Sequence, residues 1–171
     1  MKKLIFGFST THLPLSWLIR KIQGLPCSHC YIQFTSSAGE ELVYEAEGMQ
    51  THLVNKKNFI KSSIVVKEYE IELDEKTYND IKIFIERDIG VPYGWMELVG
   101  LLIKFSVRFL SFGKIIIKNP FPSKDTICSE ASGHIYIEYL GGDRGGILDD
   151  DIDIVWILNK IESDRRFKRI K

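Results

Sequence analysis

Two alternating segments joined by a four-residue turn constrain this chain more than any other feature. In residues 28–35, His29, Tyr31 and Gln33 share one side and Cys30, Ile32 and Phe34 the other. Residues 41–47 alternate again, with Leu42, Tyr44 and Ala46 opposing Val43, Glu45 and Glu47, after the turn Ser36-Ser37-Ala38-Gly39. A period of two on both sides of so short a connection predicts an antiparallel hairpin. A lone hairpin cannot bury its apolar side, so the chain must supply further strands beside it and helices across it.

The rest of the sequence offers both. Residues 4–8 and 64–73 read as strands, the second rich in β-branched residues. Pro14 opens a helix with an apolar face of Leu13, Trp17 and Ile22, and Gly24 stops it. Asp74 caps a helix over residues 75–89, with Tyr78, Ile81, Ile85 and Ile89 as its inner face and Gly90 after it. After a loop at 91–94, residues 95–112 predict a long helix on which Glu97, Lys104, Arg108 and Ser111 form one narrow polar stripe. Its width of apolar surface implies burial, or contact with a membrane or a hydrophobic substrate. Residues 114–118 are basic and apolar, and 119–122 form a rigid loop. Asp125 or Thr126 caps the next helix, where Ile127, Ala131, Ile135 and Tyr139 recur every fourth residue and Gly141-Gly142 ends it. In residues 151–162, Ile154, Ile157 and Ile161 favour a helix over the strand that Ile152, Ile154 and Trp156 would make.

With 171 residues, 44% of them hydrophobic and 12% aromatic, the expectation is one domain over 1–171. Its fold class is α+β: a small, mostly antiparallel sheet with helices packed against it. The 23 basic residues match 23 acidic ones, which excludes the basic excess of a nucleic-acid binder. Arg165, Arg166, Lys168, Arg169 and Lys171 make only the tail basic, as a solvated terminus. Lys2-Lys3 before Leu4-Ile5-Phe6 imitates a signal peptide, but Ser9-Thr10-Thr11-His12 breaks the apolar run. Three cysteines make no disulfide framework. The expectation is a chain without signal peptide or membrane span, cytoplasmic at synthesis, with free thiols.

Several residues can carry chemistry. Cys27, His29 and Cys30 could be half of a zinc site, yet no second ligand pair stands at suitable spacing. Cys-x-x-Cys also suits a redox dithiol, but here it runs into a strand rather than a helix. In a third reading His29 alone is functional and Cys30 points into the core. Cys128 falls in the first turn of a helix, where amide hydrogens favour a thiolate and can hold an oxyanion. A helix-start cysteine with a strand histidine elsewhere is the arrangement of papain-like enzymes. Glu130 reads as a first-turn capping acid. Asp149, Asp150, Asp151 and Asp153 read as helix-start acids, since a calcium loop would need alternating ligands. The glycines of 141–146 fit no phosphate loop, and His12, His52 and His134 receive no role.

Ser28-His29-Cys30-Tyr31-Ile32 resembles the histidine strand of the circularly permuted papain-like hydrolases, the permuted NlpC-type peptidases with YiiX-like amidases and lecithin:retinol acyltransferases as relatives. Val43-Tyr44-Glu45-Ala46 with Gly48 resembles that group's second strand, Pro92-Tyr93-Gly94 its tyrosine loop and Cys128-Ser129-Glu130 its cysteine motif. The resemblance covers most of residues 4–140, and the length of the apolar stretch 95–117 departs from it. It implies Cys128 as nucleophile, His29 as general base and acid, and Glu45 as the residue orienting the imidazole, with Glu47 its rival. Tyr93 would line the substrate site. No metal or cofactor is implied. The substrate would be an amide or ester carbonyl, in cell-wall peptide or in a lipid. The competing classes are a binding module that kept the fold and a structural protein associated with a virion or a membrane.

Overall fold

Residues 1–112, 114–115, 117–121, 125–146 and 152–171 are described by the computed structural model, Phe109 in its backbone only. The acids Asp149, Asp150 and Asp151, Pro122 of the rigid loop and Ile116 of the basic segment lie outside them. The predicted hairpin is strands β2 (His29–Thr35) and β3 (Glu41–Glu47), antiparallel with Ile32 opposite Tyr44. Around it β1 (Lys2–Thr10), β4 (Gln50–Asn55), β5 (Ile64–Leu73) and β6 (Lys168–Arg169) complete a six-stranded antiparallel sheet in the order β4-β3-β2-β1-β5-β6. The fold is α+β.

Alternation divides the sheet into two faces. On one, Phe6, Phe8, Ile32, Tyr44 and Ile71 meet the helices α1 (Pro14–Gln23), α3 (Glu75–Asp88), α4 (Trp95–Leu110), α5 (Cys128–His134) and α6 (Ile154–Ser163) in the main core. On the other, Tyr31 and Val43 meet Phe59 of the short α2 (Lys56–Ser62). The Tyr31 ring crosses β1 directly over Gly7, its ladder partner, and a Cβ there would stand 2.0 Å from it. The Tyr31 hydroxyl donates to Glu68 at 2.6 Å, and Lys56 reaches both.

Several expectations are corrected. On α1, Leu13 and Trp17 face solvent, while Ser16 and Ile19 are buried and Ile22 half-buried. Ser16 faces inward because its hydroxyl bonds Thr10 and Ser28, so hydrogen bonding, not apolar spacing, sets the helix rotation. On α3, Asp74 caps as expected, but Ile89 lies beyond the last turn and is exposed. On α4, Glu97 is wholly buried instead of joining a solvent stripe, and the helix ends at Leu110. Ile127, not Asp125 or Thr126, occupies the cap position of α5. Its amide donates to Glu130 at 3.2 Å, so Glu130 does act as a capping acid. A π-type segment, Ile135–Tyr139, continues α5. The basic tail is not simply solvated: β6 pairs with β5, and Arg166 reaches the Leu140 carbonyl. The strand β4 and helix α2 were not foreseen. Among the described residues, no helix is long and apolar enough to cross a membrane.

Candidate active site

The site begins where β1 ends. The β1–β5 register slips between Phe8 and Ser9, and such a bulge re-aims the strand. Ser9 then pairs with His29, and the Ser28 amide donates to the Ser9 carbonyl at 2.9 Å. The Thr10, Ser16 and Ser28 hydroxyls knit the end of β1, the start of α1 and the start of β2 together. His29 therefore enters β2 from a backbone anchored on both sides.

Its ring meets Glu45 of the neighbouring strand, Nε2 to Oε2 at 2.7 Å, with 13% of the His29 side chain and 3% of the Glu45 side chain exposed. Nδ1 is the ring's remaining nitrogen, and the Cys128 sulfur and the imidazole influence each other electrostatically. Cys128 opens α5 and is 6% exposed. Burial works against the imidazolium, yet Cys128 and then Glu45 outweigh it and carry His29 well above its usual range. The Cys30 thiol is the largest influence holding Cys128 well below its usual value, and His29 adds to it against burial. Cys30 is driven up by burial and then by Cys128, with Ser132 opposing them. These reciprocal shifts favour a thiolate beside an imidazolium.

Other candidates fall around this centre. Glu47 is exposed and forms part of the cleft wall, away from the bond that Glu45 makes. Tyr93 donates its amide to the Met49 carbonyl at 2.9 Å and bridges to Thr126, and its ring leans on Trp95 at 5.0 Å. It stands between a cleft of about 160 Å³ containing His29 and a void of about 20 Å³ at Cys128, sharing Ile19, Ser28 and Leu98 with both. Leu13, Leu15, Trp95 and Leu98 make the cleft wall mainly apolar. Cys27 is wholly buried, and burial pushes its thiol up to about 11. All three cysteines are free.

His52, given no role from sequence, stands directly across the ladder from Glu45. Its Nε2 lies 3.4 Å from the second carboxylate oxygen, and its Nδ1 donates to the Gln50 carbonyl at 3.2 Å. The Glu45↔His52 register was the missing signal, and it needs β4 to be recognised first. Cys30 was read as a core residue and is one, at 2% exposure. Its influence on the Cys128 thiol joins two elements far apart in sequence.

No family model matches the sequence, and no curated protein matches it. Among solved structures, the chain is similar to the crystal structure of YiiX from Escherichia coli O157:H7, described as a metalloprotein of the DUF1105 group. The match has a TM-score of 0.61 at 13% identity and covers 99% of this chain and 95% of that one. At that identity the likeness is one of fold.

Proposed function

We propose that residues 1–171 form one thiol hydrolase domain of permuted papain-like order, attacking an amide or ester carbonyl through an acyl-enzyme. What supports this reading is the 2.7 Å bond between His29 and Glu45 together with the electrostatic influence of His29 on Cys128, which helps lower the thiol below its usual range. The thiolate adds to the carbonyl carbon, and the oxygen takes up the electron pair beside the first amides of α5, which have no intrahelical acceptor. Collapse expels the leaving amine or alcohol, to which imidazolium His29 gives its proton. A thioester remains on Cys128. His29, now neutral, takes a proton from water as the water attacks, and collapse releases the carboxylic acid and returns the thiolate. Glu45 holds the ring's other nitrogen throughout, fixing its orientation.

The YiiX-like fold supports a hydrolase of this shape. The metal in that protein's description finds no fit here. Among the described residues no three His, Cys, Asp or Glu side chains are grouped to hold one. No step passes through a metal.

The apolar wall of Leu13, Tyr93, Trp95 and Leu98 suits a substrate with a hydrophobic group near the carbonyl. Turnover of a fatty-acylated amide, the matching ester and a cell-wall peptide is compared for wild type and Cys128→Ala. Hydrolysis of at least one by wild type alone is expected, with His29→Ala about 10²–10⁴-fold slower. Equal hydrolysis by wild type and Cys128→Ala would refute the thiol mechanism.

A further inference from the structure

We infer that the outward face shared by α1 and α4 is a docking surface for an anionic lipid bilayer. The inference goes beyond the thiol chemistry and does not depend on it. Helices α1 and α4 run side by side in the same direction. Leu13, which caps α1, and Leu15 of α1 join Trp95 and Leu98 of α4 at the cleft containing His29. Ile22 and Gln23 join Phe105, Arg108 and Leu110 at the other end, around an open groove of about 700 Å³.

The surface along this pair is apolar where a solvated surface would be polar. Met96, Val99 and Ile103 succeed one another at helical spacing on the solvent side of α4, and Leu110 continues the row at 75% exposure. Trp17 of α1 is 58% exposed. Phe112, just past α4, is held at a φ of 53° with 93% of its surface in solvent. Of the eighteen large exposed hydrophobic residues among the described residues, eleven lie within 13–18 and 95–121. A patch so concentrated marks an interaction surface.

Charge names the occupant. The whole chain is neutral, yet residues 13–28 and 98–121 contain no Asp or Glu. The acid of α4, Glu97, is wholly buried. Arg20 and Lys21 end α1, Arg108 projects from α4, and Lys114 and Lys118 follow it. Apolar side chains flanked by cations fit the acyl and headgroup layers of an anionic leaflet. The same cations would oppose one another if a second copy were seated on this face. Since the face borders the cleft, a docked bilayer would sit at the mouth that leads to His29.

The test is co-sedimentation with vesicles of phosphatidylcholine alone or with phosphatidylglycerol. Wild type is compared with Val99→Ser/Ile103→Ser and with Arg20→Glu/Lys21→Glu, folding being checked by circular dichroism. Wild type should bind the anionic vesicles, at least tenfold more weakly in 0.5 M salt or with the neutral lipid. Each double variant should lose at least tenfold, and Cys128→Ala should bind as wild type does, so that failure here is separable from failure of the thiol mechanism. The charge variant keeps the test open if the apolar one unfolds. Equal binding to both vesicle types, or to neither, would overturn the inference. So would a wild-type dimer in sedimentation equilibrium that Val99→Ser/Ile103→Ser dissociates.

Discussion

A cysteine attacks a carbonyl as its thiolate, so the groups that keep Cys128 ionised decide what the site can do. The largest is the Cys30 thiol, ahead of the imidazole. Cys30→Ala should therefore move the pH profile of Cys128 alkylation by iodoacetamide to higher pH, while Cys30→Ser, which keeps a donor, should move it less. Because Cys128 is shifted down and His29 up, the expected form around neutral pH is the ion pair. Wild-type alkylation should be flat from about pH 6 to 8, falling only as acid protonates the sulfur. Cys27, pushed up to about 11, should stay unlabelled over that range. Glu45→Gln removes an anion that helps raise His29, so the upper limb of the turnover profile should move to lower pH. His52→Ala should cost less, lowering kcat a few-fold with KM little changed, since Glu45 keeps its bond to His29. A rise in KM with constant kcat would contradict the positioning role of His52. The places of Cys128, His29 and Glu45 at a helix start, a strand start and in an alternating strand were legible from local pattern, while the triad roles proposed for them came from the family resemblance. The roles of Cys30 and His52 were not legible, because they arise across the sheet and its ladder.

At the scale of elements, the hairpin and the caps on α3 and α6 followed from period and from Asp74 and Asp153. Strand β4 escaped because Thr51, wholly buried, and the half-exposed His52 break the alternation of apolar residues that marks a strand. The rotation of α1 escaped because hydroxyl bonds from Ser16 outweigh the exposure of Leu13 and Trp17. The β1–β2 contact is rigid where Tyr31, tied to Glu68 and Lys56, covers Gly7. A methyl at Gly7 has nowhere to go unless that tied ring moves. Gly7→Ala should lower the unfolding free energy by about 1–3 kcal/mol in urea titration with an unchanged slope. A gain in stability, as replacing a strand glycine gives where space exists, would show that the ring yields.

The whole molecule sets Cys128 and Tyr93 around one small void, with the sheet supplying His29 and Glu45 and α5 supplying the cysteine. The YiiX-like fold brings together residues separated by about a hundred positions, an arrangement that composition alone could not reveal. The neutral net charge conceals an uneven distribution, since residues 13–28 and 98–121 contain no Asp or Glu. The central claim is that Cys128 carries an acyl group through chemistry that needs His29. Intact-protein mass spectrometry after brief exposure to an activated fatty-acyl ester tests it most directly. One acyl mass on Cys128, released by hydroxylamine, absent in Cys128→Ala and at least a hundredfold slower to form in His29→Ala, is the predicted result. Acylation of other residues only, or formation at Cys128 at the same rate without His29, would contradict it.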